Sequence, residues 1–163
     1  MLDTEIKINL FMVGYCRMML AEIADERMAE QPLPGVNHPA WILGHLAFSA
    51  DLALWRLGGE KTLPASWVAQ YGPGSQVSPN RSDYPSKDEL LQLVETGFEK
   101  ARELAQAATA EQLSAPSTAT NPVMKAALPL TGDAIAFLLT AHLAMHLGQL
   151  STWRRMIGLP ALF

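Results

Sequence analysis

Residues 134–150 read AIAFLLTAHLAMHLGQL, which is the most hydrophobic stretch of the chain. Its length and apolar character raise the question of a membrane span, but it contains His142, His146 and Gln149. Polar side chains in lipid need partners, so this pattern favours a central helix buried inside a soluble bundle. We therefore expect no membrane partner and a fold organised around one long core helix.

Three further segments outside this stretch carry helical patterns. The first has an apolar stripe with spacings of three, four and seven residues. The second opens with Pro39 at a first-turn position, with Asn37 or His38 as its cap, and the third opens with a capping box between Ser86 and Glu89. The four predicted helices run from about Asp3 to Ala29, from Pro39 to Leu57, from Ser86 to about Ala107, and from after Asp133 to Gly158.

The second and third predicted helices are joined by a long, proline-rich connection from Glu60 to Pro85. Leu63, Trp67 and Tyr71 are spaced four apart within it, which predicts a short amphipathic helix. A connection of this length can travel the length of a bundle, so the helices on either side of it can run parallel. The pattern predicts one all-α domain over residues 1–163, a four-helix bundle with a long helix 2–helix 3 crossover loop.

Composition narrows the class of function. The net charge is −4, and Arg154-Arg155 is the densest basic pairing, so the chain lacks the clustered Lys and Arg that nucleic-acid binding requires. Cys16 is the only cysteine, which rules out an internal disulfide and indicates a reducing compartment. Acidic residues follow Met1 where a signal peptide would carry Lys or Arg, so we expect a cytoplasmic protein.

Three histidines form the constellation that could carry chemistry. His142 and His146 lie four apart on one helix, so both side chains lie on one face, about one turn apart. His45 lies in a similar apolar setting on the second helix. Three buried imidazoles are hard to satisfy with hydrogen bonds alone, and one divalent ion could accept a nitrogen from each. Three protein ligands leave a coordination position open, as in catalytic zinc sites, while imidazole also suits nickel, copper and iron.

The same residues have a plainer interpretation. A His-x-x-x-His pair can arise by chance, and a core histidine can be hydrogen-bonded without any metal. Position 143 is Leu, so the His-Glu-x-x-His motif is absent and zinc peptidase chemistry is not indicated. On these grounds alone, a metal site and a set of ordinary core histidines both remain open.

The other candidate residues are weaker. Cys16 is interpreted as a small core residue rather than a nucleophile, and His38 as exposed or capping. The Arg154-Arg155 pair suits the negative end of the last helix, with anion binding as the alternative. The carboxylates that could accept a hydrogen bond from a liganding histidine are Asp51, Glu22 and Asp25, and the sequence does not choose among them.

At these residues the chain resembles the DinB-like (YfiT-like) family of metal-dependent bundle proteins. The resemblance covers nearly the whole chain, and the histidine segments are fairly specific in combination. It implies a four-helix bundle with up-down-down-up topology and a metal held by His45, His142 and His146. The segments that carry it are residues 35–47 (GVNHPAWILGHLA), 84–91 (YPSKDELL), 142–150 (HLAMHLGQL) with its continuation to Pro160, and the loop 67–75.

Family members with known activities include thiol-dependent S-transferases and a thiol-dependent maleylpyruvate isomerase, so the resemblance implies a transferase that joins a low-molecular-weight thiol to an electrophilic small molecule. Zinc or nickel is the expected metal. No thiol-binding or catalytic residue can be matched to this sequence. A metal-dependent hydrolase using an activated water, and a non-enzymatic metal-binding stress-response bundle, are the alternatives. An exposed apolar remainder could also support a homodimer.

Overall fold

The computed structural model describes residues 1–162, and this part of the chain is built from α-helices without a β-strand. The predicted all-α bundle is thereby confirmed. An isolated bridge between Pro116 and Leu130 is its only sheet-like pairing among these residues. Short 3₁₀ turns occupy Asp25–Arg27 and Arg81–Asp83. The α-helices are α1 (Asp3–Leu20), α2 (Pro39–Arg56), α3 (Trp67–Tyr71), α4 (Lys87–Ala107), α5 (Ala110–Ser114), α6 (Pro122–Ala127), α7 (Thr131–Leu139) and α8 (Ala141–Met156).

Helices α2 and α4 form the closest-packed pair of the bundle. A Cβ at Gly97 would lie 3.0 Å from the Cβ of Ala50, and a Cβ at Gly59 would lie 2.9 Å from Leu104 Cδ1. Residue numbers increase from the first contact to the second on both sides of this interface, so α2 and α4 run in the same direction. The long connection between them therefore spans the bundle, as its length predicted.

Contacts made by α1 set the remaining directions. Arg102 on α4 donates to Asn9 Oδ1 at 2.8 Å, and Arg17 contacts Glu95 at 2.6 Å, so α1 and α4 are antiparallel. Asn9 also donates to the carbonyl oxygen of Leu139 at 2.8 Å, and further along α1 the carbonyl of Met19 accepts from Arg154 on α8. The α7–α8 rod therefore runs parallel to α1.

The first helix is shorter than the sequence predicted, because it ends at Leu20 and not near Ala29. The following segment turns so that Asp25 reaches the start of α4, where its carboxylate accepts from the backbone N–H of Lys87 at 2.6 Å. The Arg81 guanidinium donates to the same carboxylate at 2.7 Å. The Asp25 carboxylate thus caps the start of α4 and binds Arg81 of the crossover loop. These long-range contacts favour a turn after Leu20 over a continuation of α1.

The predicted fourth helix is also interrupted, at Thr140, where φ is −125° and ψ is −82°. Thr140 Oγ1 donates to the carbonyl of Ala136 at 2.6 Å, a bond that tends to bend a helix. The Asn9 side chain donates a hydrogen bond to the carbonyl oxygen of Leu139, the last residue before the break. The correction matters for function, since α8 begins one residue before His142.

The rod over Thr131–Met156 is long and apolar enough to cross a membrane by length and composition alone. Its most apolar stretch is 44% buried inside the bundle, and the rod packs on α1 and α2. Leu139, Leu143 and Leu150 along it are fully buried. These contacts make the rod part of the core of the helical bundle.

Candidate metal centre

Helix α2 holds His45 in the most buried part of the molecule. Pro39 occupies the first helical position, where its missing N–H costs nothing, and the His38 ring accepts from the backbone N–H of Trp41 at 3.2 Å. His38 is fully buried, so the expectation that it caps α2 is confirmed and the expectation of exposure is wrong. His45 follows one turn after Trp41, with 5% of its surface exposed.

Helix α8 supplies the other two imidazoles. His142 and His146 are one turn apart on the same helix, and His146 is 8% exposed. Their ring centroids are 4.7 Å apart. The centroid of His45 lies 5.1 Å from that of His142 and 4.5 Å from that of His146. The three rings predicted from the sequence therefore form one cluster.

The nitrogens of the cluster are close enough to share one ion. One candidate ligand atom from each of the three histidines lies within 4.8 Å of the others. The Nε2 atoms of His45 and His142 are 3.2 Å apart. Two nitrogens bound to a tetrahedral zinc ion at 2.0–2.1 Å would lie about 3.3 Å apart, so this spacing suits zinc. The three imidazoles could hold a divalent ion with little rearrangement.

Hydrogen bonds orient two of the rings. The backbone carbonyl of Tyr71 lies 2.6 Å from His45 Nδ1, so that nitrogen donates and Nε2 is left unprotonated. His146 Nδ1 lies 3.2 Å from Oε1 of Gln149, and the same oxygen accepts from the Asn37 amide at 3.1 Å. Both rings thus present Nε2 to the cluster, as metal-bound histidines with a supporting acceptor do.

His142 differs from the other two histidines. Its Nδ1 is buried and has no hydrogen-bond partner. Unlike the rings of His45 and His146, the His142 ring therefore has no hydrogen bond at Nδ1 that fixes its tautomer.

Aromatic side chains surround the cluster. The Trp41 ring stacks on His45 with a centroid distance of 4.9 Å and an interplanar angle of 10°. Phe48 lies 6.4 Å from His45, and Phe137 lies 5.6 Å from His142. These rings remove water from the imidazoles, which strengthens electrostatic interactions in the site.

The buried environment of the cluster keeps the three imidazoles neutral. Burial, with the nearby rings of His146 and His45, lowers the pKa of His142 to about 3. Burial and the His45 ring lower the pKa of His146 to about 4, against an opposing hydrogen bond to Gln149. Burial also lowers the pKa of His45, although the Tyr71 carbonyl opposes the shift. Neutral imidazole is the form that binds metal, so all three are competent ligands at neutral pH.

Comparison with protein families agrees with this arrangement. Residues 15–150 match the DinB superfamily, which is more than half of the chain. The chain belongs to the DinB superfamily. No curated protein and no solved structure matches it significantly. His45, His142 and His146, the three predicted ligands, all lie within the matched region.

The carboxylates considered as supporting acceptors lie elsewhere in this DinB-superfamily fold. Asp51 accepts from the backbone N–H and hydroxyl of Thr62 at 2.6 and 2.9 Å. Glu22 accepts from Arg154 at 2.9 Å, and Asp25 binds Arg81 and Lys87. None of these bonds involves a histidine, so the expected carboxylate support is wrong.

Cys16 and Arg154 are structural. Burial raises the pKa of the Cys16 thiol to about 12, which suits a core residue and not a nucleophile. Arg154 is 1% exposed and donates to the carbonyl of Met19 and to Glu22. Its charge is already compensated, so it is not available to bind an anion.

The acceptors that do support the ligands were missed at the sequence level. Tyr71 contributes a backbone carbonyl, which every residue possesses, so no side-chain pattern could identify it. Gln149 gave a signal, because it shares the apolar helix face with His142 and His146 and follows His146 by three residues. A glutamine three residues after a buried histidine, on the same helix face, would have identified this acceptor from the sequence.

Proposed function

We propose that this protein is a metal-dependent transferase that joins a low-molecular-weight thiol to an electrophilic small molecule. The observation that carries the proposal is a donor set of three neutral imidazoles with no carboxylate in the cluster. The thiol, in place of water, comes from the family resemblance described above. Zinc and nickel are both compatible with this donor set.

His45, His142 and His146 would hold the ion through ring nitrogens. When bound, a divalent ion lowers the pKa of a thiol beside it and so favours the thiolate at neutral pH. Since the imidazoles are neutral, the protein does not cancel the ion's charge, and an anionic partner is favoured. Thiolate and hydroxide both satisfy this charge requirement, so the experiment must distinguish them.

The chain's own residues would bind and orient the organic reactant. A groove of about 560 Å³ lies beside His146 on its Nδ1 side, where Gln149 Oε1 contacts the ring. Asn37, Gln149 and Trp153 line it, and no charged side chain does. An uncharged electrophile therefore suits the groove better than an anionic one. The thiol S–H bond would break and a carbon–sulfur bond would form, while the bond from that carbon to its leaving group breaks. The leaving group would depart with the electron pair and take up a proton from solvent, in exchange for the thiol proton.

The crossover loop would restrict access of water from the α2 side. Trp41 Nε1 donates to the carbonyl of Gln70 at 3.1 Å and to Ser75 Oγ at 3.0 Å. His38 contacts the carbonyl of Ser78 at 2.8 Å. These bonds hold residues 70–78 of the loop against α2 beside the cluster. We further propose a cytoplasmic location, since the thiol must stay reduced.

The test combines metal analysis with a thiol-dependence assay. Protein loaded with zinc or nickel would be incubated with glutathione and a panel of electrophiles, and loss of free thiol would be followed. We expect consumption that stops after chelation and is lost in His142→Ala. Turnover of the electrophile without thiol would point to water chemistry, and unchanged metal stoichiometry in His142→Ala would reject the site.

A further inference from the structure

Gly44, which immediately precedes His45 in α2, is packed against the ring of Tyr71. A Cβ at this position would lie 1.9 Å from Tyr71 Cε1, 2.2 Å from Cδ1 and 2.5 Å from Cζ. No larger residue can coexist with the ring in its present place. Gly44 is not among the glycines with positive φ, so its backbone does not require glycine. Glycine inside a helix lowers its stability, so its presence at position 44 needs another explanation. The close approach of the Tyr71 ring provides one.

The ring of Tyr71 is held by shape and not by its hydroxyl. Tyr71 is fully buried, and its hydroxyl oxygen has no hydrogen-bond partner. The depth at which α3 lies on α2 is therefore set by the fit of the ring into the space above Gly44. Tyr71 is also the residue whose carbonyl accepts from His45 Nδ1 at 2.6 Å.

We propose that Gly44 is a positioning residue for His45, acting through Tyr71. By leaving room for the ring, Gly44 allows the Tyr71 carbonyl to reach His45 Nδ1. That contact fixes the tautomer with the proton on Nδ1 and presents Nε2 to His142 and His146. The inference rests on the proposed metal site for its functional meaning, but the tautomer itself is a property of the metal-free protein.

The arrangement is local to this pair of elements. Gln70, the preceding residue, offers its carbonyl to Trp41, one turn before His45 on α2. Consecutive carbonyls of α3 thus bind consecutive turns of α2. Displacing the Tyr71 ring outward would lengthen the 2.6 Å contact first, because Gly44 and His45 are adjacent. Loss of such a supporting acceptor lowers metal affinity about 10–100-fold.

The decisive variant is Gly44→Ala, with Gly97→Ala as the matched control. Gly97 is also a helical glycine in close contact, since an added Cβ would lie 3.0 Å from Ala50 Cβ, and Tyr71 is not among its neighbours within 4 Å. Imidazole tautomers of the metal-free proteins would be read from nitrogen–proton NMR correlations, and zinc affinity by competition with a chromophoric chelator. We expect Gly44→Ala to lose the Nδ1-protonated form of His45 and to bind zinc about 10–100-fold more weakly. Gly97→Ala should retain both.

Two variants at Tyr71 keep the test decisive if Gly44→Ala folds poorly. Tyr71→Phe retains the ring and is expected to retain the wild-type tautomer, whereas Tyr71→Ala is expected to lose it. The double variant Gly44→Ala/Tyr71→Ala should be no worse than Tyr71→Ala alone, since both changes break one contact. A wild-type tautomer in Gly44→Ala or in Tyr71→Ala would overturn the inference. A wild-type protein that binds no zinc would instead overturn the proposed function, with the tautomer result still interpretable.

Discussion

The two helices that supply the histidines support them in different ways. On α2, the ring of His45 is stacked by Trp41 and bound by a backbone carbonyl at 2.6 Å. On α8, His146 contacts the exposed side chain of Gln149 at 3.2 Å, and His142 Nδ1 has no partner. One side of the site is organised by buried main chain, and the other by an exposed side chain and a helix that starts just before its first ligand.

This difference indicates that the site is preorganised unequally. The Tyr71 carbonyl holds His45 in the tautomer that a metal requires, whereas no hydrogen bond at Nδ1 fixes the tautomer of His142. A ligand held in its bound state loses little further freedom on binding. We therefore expect the α2 side to contribute more to metal affinity than its single histidine would suggest.

Replacing His45 tests this comparison with the largest expected effect. His45→Ala should lower zinc affinity by more than about a hundredfold, since loss of a mere supporting partner already costs 10–100-fold. His142→Ala should also weaken binding, but by a smaller factor. Metal content after dialysis and competition titration measure both. Arg17→Ala, which changes an exposed side chain of α1, serves as the control. An equal loss for His45→Ala and His142→Ala would contradict the unequal arrangement.

The break between α7 and α8 depends on a buried polar contact from α1. Asn9 is fully buried and links Arg102 to the Leu139 carbonyl. Asn9→Ala would leave the buried Leu139 carbonyl without a partner, at a cost of about 1–3 kcal/mol, whereas water can replace Asn9 at the partly exposed Arg102. We expect the free energy of unfolding in urea to fall by about 1–3 kcal/mol. Arg17→Ala, which breaks an exposed ion pair, should cost less than about 1 kcal/mol, and a similar loss for the two variants would argue against the role of Asn9.

The helical framework followed from the sequence because its signals are local. The capping box of Ser86 and Glu89 is present, and α4 ends at Ala107 as expected. The break at Thr140 could not be predicted in this way, because hydropathy continues through residues 134–150 and the contact with Asn9 is distant in sequence. The early end of α1 has the same kind of cause, since Asp25 is drawn to Lys87.

Acid should destabilise the metal-free protein. The folded-state pKa values of His142 and His146 lie at about 3 and about 4, below the unfolded value of about 6.5. The unfolded chain therefore binds more protons as pH falls below 6.5, and stability present above that pH is lost. Between pH 7.5 and 5.5 each histidine should contribute a loss of up to about 1.4 kcal/mol.

Urea unfolding with a chelator present measures this dependence. His142→Asn removes one of the two groups, so its unfolding free energy should fall less than that of the wild type over the same pH range. Below about pH 4.5 the carboxylates of Asp25 and Glu89 also begin to matter, because their pKa values are lowered by their hydrogen bonds. An identical pH dependence in His142→Asn would show that the histidine is not held neutral by the fold.

Replacing Gln149 should cause the smallest change in zinc affinity among these variants. Its side chain is exposed, so water can replace its oxygen after Gln149→Ala, and zinc affinity should fall by about tenfold or less. Gln149→Glu places a carboxylate next to His146 Nδ1 and should raise affinity, since it increases the basicity of the ligand. Competition titration separates the two variants. A hundredfold loss in Gln149→Ala would place the α8 support on a par with the α2 support.

The central claim is that one ion is held by three imidazoles from α2 and α8. X-ray absorption on the zinc-loaded protein tests it most directly, with His45→Ala measured alongside. The account predicts one ion per chain with three imidazole nitrogens at about 2.0–2.1 Å, and two or fewer in the variant. A zinc shell without three imidazoles, or a shell unchanged in His45→Ala, would contradict it.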